Sequence, residues 1–251
     1  MSTLFSHMSR FSLMHQKIRV FLILGLFFLA SKGNAQDNKS ILWLDLNANH
    51  YLNENTQVVS DVRFRQGINS SLQQTHLRAG LRKNILQNFD MTAGAGYFKT
   101  LGSEKEIVRS NEYRFHQDFR YKHRHIGKIK YIYIARLRFE ERFFSDTFFG
   151  EDTKSSYRWR INSQFQFPIR IPVISYNYFD LKVFDEIFSN FESKKESSFI
   201  NNNRLGVALK YQLTSTTALE GSYIWEQSFG ENIIELGEAT NIFRLSMYLT
   251  L

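Results

Sequence analysis

The chain is predicted to be all-β, an antiparallel transmembrane barrel of the outer-membrane kind with about 10–12 strands, and three observations carry that expectation. Apolar and polar residues alternate with a period of two through most of the body, the spacing at which successive side chains of a strand point to opposite faces. The alternating runs reach the roughly 9–11 residues that a tilted strand needs to cross a bilayer, whereas globular strands usually stop at about 5 or 6. The third observation is the start of the chain, which reads as an export signal.

Residues 1–35 carry Arg10, Lys17, Arg19 and Lys32, no acidic residue and an apolar run at 20–30, and they end in Gly33-Asn34-Ala35. That is the pattern of a secretory signal peptide with cleavage after Ala35, and the run is too short for a spanning helix. Its removal takes away four of the 32 basic residues and none of the 24 acidic ones, so the formal net charge falls from +8 to +4. An exported protein with so small a surplus gives no ground for a nucleic-acid partner. Residues 36–251 then form a single β-barrel domain. The absence of cysteine excludes a disulfide scaffold and a thiol nucleophile. Aromatic residues make up 16% of the chain, too many for a disordered one.

The strands follow in order. The run at 41–50 puts Leu42, Leu44, Leu46 and Ala48 on one face, and runs at 56–66, 73–83 and 89–99 come next. At 111–121, Tyr113, Phe115, Phe119 and Tyr121 share a face opposite Glu112, Arg114, His116, Asp118 and Arg120. At 130–142, Tyr131, Tyr133, Ala135, Leu137 and Phe139 alternate with Lys130, Arg136, Arg138, Glu140 and Arg142. Tyr157, Trp159, Ile161, Phe165 and Phe167 then alternate with Arg158, Arg160, Asn162, Gln164 and Gln166. Runs at 173–188, 202–212 and 217–227 precede the last, where Phe243, Leu245, Met247, Leu249 and Leu251 share a face. These are eleven candidate strands, with short connections at 83–88, 122–128, 168–172 and 213–216 and longer polar ones at 100–108, 144–154, 191–199 and 228–239. Short turns on one side and long loops on the other are the outer-membrane pattern, but closed single-chain bacterial barrels have an even number of strands. Ten or twelve is therefore expected. Ten strands from Thr56 onward alternate turns and loops consistently and leave 41–50 without a place.

Two assignments of the faces compete: apolar rows inside a soluble periplasmic β-protein, or apolar rows outside a membrane barrel. Arginine dominates the polar rows, where a solvated face has no reason to prefer it to lysine. An enclosed lumen does have such a reason, because one guanidinium bridges several carboxylates and carbonyls. Tyr113, Tyr131, Tyr157, Trp159, Tyr223 and Trp225 fall near strand ends, where interfacial aromatic girdles form. The membrane barrel is the better fit, since closure removes the edges that many long strands would otherwise expose.

Five segments also carry a resemblance. Asn111-Glu112-Tyr113-Arg114-Phe115-His116-Gln117-Asp118, Leu137-Arg138-Phe139-Glu140-Glu141-Arg142-Phe143, Tyr157-Arg158-Trp159-Arg160, Asp185-Glu186-Ile187-Phe188 and Asn202-Asn203-Arg204-Leu205-Gly206 occur in the order of an uncharacterised bacterial family. The chain resembles domain-of-unknown-function family 2490 over nearly all of its mature length, with Asp185 where that family more often has Asn. The resemblance implies an outer-membrane barrel and no assigned activity.

The candidate site is a lumen charge network of Glu112, Arg114, His116, Asp118 and Arg120 on one strand and Arg136, Arg138, Glu140 and Arg142 on the next, joined by Arg158, Arg160, Glu186 and Arg204. Same-face residues of paired strands lie about 5 Å apart, so these groups can form a ladder. Its structural reading is a network that fills and stiffens the lumen. Its functional reading is a surface for a small anionic solute, because the polar rows hold 16 basic against 8 acidic residues: Arg63, Arg65, Arg78, Arg82, Lys130, Lys182, Lys210 and Arg244 join those named, against Asp61, Asp180, Glu220, Glu226 and the rest. The expected function is a narrow anion-preferring pore or structural envelope component in the outer membrane, with lipid and the barrel-assembly machinery as partners and no cofactor. The alternatives are an outer-membrane enzyme acting on lipid or lipopolysaccharide and a soluble periplasmic β-protein. No catalytic or metal site is assigned. His116 faces the expected lumen with no serine beside it, His76 is alone on its strand, and His123 and His125 fall in a turn without a third ligand. Gly94-Ala95-Gly96 sits inside a strand with no following helix, so it reads as lumen space or a bend and not as a phosphate loop.

Overall fold

The alternating stretches form eleven strands in the computed structural model, which describes residues 39–102, 109–145, 154–170, 178–191, 200–230 and 236–251. The expected signal peptide at 1–35 lies outside the described residues, as does most of the longer polar connections. In order, the strands are β1 Lys39–Asn53, β2 Thr56–Gly67, β3 Gln73–Leu86, β4 Phe89–Leu101, β5 Arg109–Ile126 and β6 Lys130–Ser145. They continue as β7 Lys154–Arg170, β8 Tyr178–Phe191, β9 Asn202–Gln212, β10 Thr217–Phe229 and β11 Leu236–Thr250. Lengths run from 11 residues in β9 to 18 in β5, beyond the usual globular strand in every case. Several strands outrun their sequence pattern: β3 continues to Leu86, and β5 continues through His123 and His125, so these two histidines belong to a strand and not to the expected turn.

The ring closes in the order β1-β11-β10-β9-β8-β7-β6-β5-β4-β3-β2. Each sequence-adjacent pair is antiparallel, with Trp43 opposite Arg65 on β1 and β2 and Asp118 opposite Arg138 on β5 and β6. The closing pair is parallel, from Lys39 opposite Thr240 to Asn49 opposite Thr250. The even count expected from the sequence is thus corrected to eleven, and 41–50 supplies most of β1. The cause is geometric. Strand direction reverses at every hairpin, so an odd ring brings its first and last strands together running the same way, and a parallel ladder pairs their backbones. Closure leaves no open edge.

The faces are inverted relative to a water-soluble β-protein. Leu44, Phe115, Ile161 and Leu245 point outward, and Leu245 is 52% exposed. Among the described residues, the buried polar and charged side chains outnumber the buried apolar ones; Glu140 and Glu220 are each 1% exposed. Outward aromatics pair across neighbouring strands. Tyr97 and Tyr113, 5.3 Å apart, lie toward the long-loop ends of β4 and β5, and Phe179 and Tyr211, 4.8 Å apart, at the short-turn ends of β8 and β9. Tyr133 and Phe165 lie 4.9 Å apart, Phe139 and Trp159 4.9 Å, and Tyr223 and Phe243, at mid-strand, 5.6 Å. Leu81, Leu137, Ile161 and Leu245 also face outward.

Glycine makes room on the inner wall. Gly94 stands opposite Gly80 on β3 and His116 on β5. A Cβ at Gly94 would lie 2.4 Å from the Ala79 carbonyl oxygen and 2.7 Å from His116 Cε1. Gly94 and Gly96 therefore admit the longer lumen side chains of the neighbouring strands.

Candidate functional site

Cross-strand register brings the sequence-predicted residues together inside the barrel. On β5, Glu112 accepts hydrogen bonds from Arg114 of its own strand at 2.5 and 2.7 Å and from Arg142 of β6 at 2.5 Å. Arg114 also lies 3.5 Å over the Phe98 ring of β4. Asp118 receives both ends of the Arg138 fork, Nη2 at 2.7 Å. Arg120 places two N–H groups on one oxygen of Asp90, at 2.8 and 2.6 Å. His116 is buried, with Gly94 opposite it on one side and Glu140 on the other.

The network continues around the wall. Glu140 accepts from Arg158 at 2.7 Å and from Arg160 at 3.1 Å, with Arg138 at 3.5 Å. Glu186 accepts from Arg160 at 2.8 Å and from Arg136 at 2.6 Å, and Arg204 is 3.8 Å away. Arg204 also pairs with Glu226. Further on, Glu220 accepts from Lys182, from Arg244 at 3.2 Å and from the Tyr248 hydroxyl at 3.1 Å. Glu112, Glu140, Glu186 and Glu220 are each held by two or three side chains, the condition under which charge is retained away from water.

Some participants were not assigned from the sequence. Trp43 and Asp45 on β1 point inward; Asp45 takes the Arg63 fork, with Nε at 2.5 Å, and Arg65 lies 4.1 Å over the Trp43 ring. Their alternation with Leu42, Leu44 and Leu46 was the available signal, but the strand itself had no place in an even-numbered ring. His76 is not isolated: its Nε2 is 2.9 Å from Asp61, which Arg78 also holds at 2.8 Å, and its ring packs 4.6 Å from Phe98. Among the described residues no serine or threonine is hydrogen-bonded to a histidine, and no group of three metal-ligating side chains forms.

The paired side chains leave a cavity of about 320 Å³. Ten arginines and Lys182 line it, against only Glu186 and Glu220. The other carboxylates of the network are shorter than their partners and stay near the wall, while the guanidinium heads reach inward. The space therefore presents cations even though most of them are paired behind. Such a lining favours an anion and disfavours a cation.

A family model described as "Protein of unknown function (DUF2490)" matches residues 41–233. No curated protein matches the chain. The five segments that carry the sequence resemblance all fall within the matched span.

Proposed function

The chain belongs to the protein family of unknown function DUF2490, and from that premise we propose that it is an outer-membrane β-barrel whose arginine-lined lumen accepts small anionic solutes. The inverted arrangement of its faces carries this reading: rows such as Leu44, Leu137 and Leu245 point outward, and buried charge points inward. In water these rows would leave a long apolar belt uncovered, whereas a bilayer supplies its natural cover. Outward aromatic pairs toward strand ends, Tyr97 with Tyr113 and Phe179 with Tyr211, are of the kind that forms girdles at the two membrane surfaces. An export signal at 1–35 and insertion by the barrel-assembly machinery belong to the same reading.

Within the lumen the reading is a narrow, anion-preferring conduit and not an open pore. Cross-linked guanidinium–carboxylate groups project into the lumen around a cavity of about 320 Å³. Hydrolysis of lipid needs a nucleophile within reach of its base, and among the described residues no serine or threonine is hydrogen-bonded to a histidine. A soluble periplasmic β-protein would require the outward leucine rows to be covered by something else.

The test begins with expression of the full chain in a Gram-negative host, envelope fractionation and gel mobility with and without heating. Outer-membrane recovery with heat-modifiable mobility supports the location; recovery in the osmotic-shock fraction overturns it. Planar-bilayer recording of the purified barrel then reads the lumen. Small anion-preferring steps are expected, and a cation preference or no conductance removes the conduit.

A further inference from the structure

We propose that the lumen cavity holds a small carboxylate-bearing organic solute, with its carboxylate on Arg65 and the Trp43 indole N–H and its apolar part against Ile224 and Phe184. The proposal deepens, and rests on, the reading of the lumen as an anion-accepting space. All four side chains line the same cavity.

Arg65 differs from its neighbours. Arg63 is held by Asp45 and Arg204 by Glu226, but among the described residues Arg65 meets no carboxylate. Its Nη1 donates to the neutral side-chain oxygen of Gln74 at 2.7 Å, and its buried Nε has no acceptor. Trp43 beside it is 3% exposed, and its Nε1 likewise has no acceptor. A buried donor without a partner is destabilising unless a bound group supplies one. Here two such donors lie together: the Arg65 guanidinium is 4.1 Å from the centroid of the Trp43 ring, with Arg63 at 4.9 Å and Arg204 at 5.2 Å. One positive charge lacking a carboxylate and two unused N–H groups call for an anion with two oxygens.

The surroundings select an organic carboxylate over inorganic phosphate. Trp43 forms an apolar cluster with Ile224 and Ile242, against which Ile41 and Phe184 pack. A tetrahedral phosphate would place charged oxygens against that surface, while a carboxylate has two coplanar oxygens for the guanidinium fork and a hydrocarbon part for the isoleucines. The cavity of about 320 Å³ is at the small end of the range for organic-ligand sites, so it suits a small organic acid.

The chain has three tryptophans, so replacing Trp159 and Trp225 with Phe leaves Trp43 as the sole reporter. The full barrel, purified in detergent and shown to be folded by heat-modifiable mobility, is titrated with butyrate, inorganic phosphate or chloride at constant ionic strength while Trp43 emission is followed. A saturable change with butyrate is expected at lower concentrations than with phosphate or chloride. Arg65→Gln should weaken it at least about tenfold, the loss anticipated when a hydrogen bond to a charged group is removed. Arg65→Lys, which keeps the charge but lacks the fork, should fall between the two and serves the same criterion if the Gln variant does not fold. Absence of saturation with butyrate, saturation with phosphate at equal or lower concentration, or an unchanged curve in the Arg65 variants overturns the proposal. An anion-preferring conductance without butyrate saturation would sink this site alone; loss of the barrel from the envelope would sink the wider reading.

Discussion

Arg136 and Glu186 are hydrogen-bonded at 2.6 Å although a whole strand, β7, lies between the strands that carry them. Glu186 also holds Arg160 of that intervening strand and stands near Arg204 on the other side. One carboxylate thus ties together four consecutive strands of the wall. Glu186→Gln keeps one acceptor oxygen but removes the negative charge, and should leave three guanidiniums facing one another without their common counter-charge. A loss of about 3–5 kcal/mol is expected, as for other buried ion pairs broken from one side. The check is the temperature at which gel mobility shifts, which should fall in the variant. The same change removes one of the two glutamates lining the cavity, so anion preference in bilayer recordings should rise.

The outward rows give a second expectation that separates lipid from water as the surrounding medium. Leu245 lies mid-strand on β11, 52% exposed. In a water-soluble protein, Leu245→Arg at so exposed a position would be nearly neutral. In a bilayer the substitution costs about 2–4 kcal/mol near the midplane and less toward the rims. Refolding into lipid vesicles, compared with refolding into detergent micelles, should show the penalty most clearly in the vesicles. Equal yields for variant and parent would count against the membrane reading.

Much of this arrangement is legible in the sequence. Period-two alternation separates Tyr113 and Phe115 from Glu112 and Arg114, and short hairpins fix which neighbour each strand meets, so the Asp118–Arg138 pair follows from local information. Trp43, Asp45 and the seam were harder to read. Pairing Leu44 with Leu245 joins strands at opposite ends of the chain, and no local turn specifies it. The Arg136–Glu186 bridge was hidden for another reason: alternation tells which face a side chain occupies, but not how far a long guanidinium reaches across that face.

Gly94 tests how tightly the inner wall is packed. Its missing Cβ would fall against the backbone of β3 and the ring of His116, and the backbone cannot yield as a flexible side chain would. Gly94→Ala should therefore destabilise the barrel by about 1–3 kcal/mol, the usual range for overpacking. Gly221, where a Cβ would meet nothing within 4 Å, is the internal control, and Gly221→Ala should be nearly silent. Heat-modifiability midpoints of the two variants, measured side by side, make the comparison; a larger effect at Gly221 would contradict this packing.

The parallel seam makes the sharpest prediction about topology. The chain has no cysteine, so any disulfide reports only introduced pairs. Leu44 and Leu245 are register partners across β1 and β11 and share the outward face. Adjacent strands lie about 4.8 Å apart, within the Cα separation that a disulfide spans. Leu44→Cys with Leu245→Cys should therefore cross-link on mild oxidation of the folded barrel. Ala48 pairs with Leu249 instead, four residues along the same ladder, so Ala48→Cys with Leu245→Cys lies roughly 13 Å out of reach and should not. After heat denaturation, the linked chain should migrate differently on a non-reducing gel and return to normal with reductant. A ten-stranded ring that excluded β1, or a twelve-stranded ring with another strand between β1 and β11, would separate Leu44 from Leu245 and give no link in either variant.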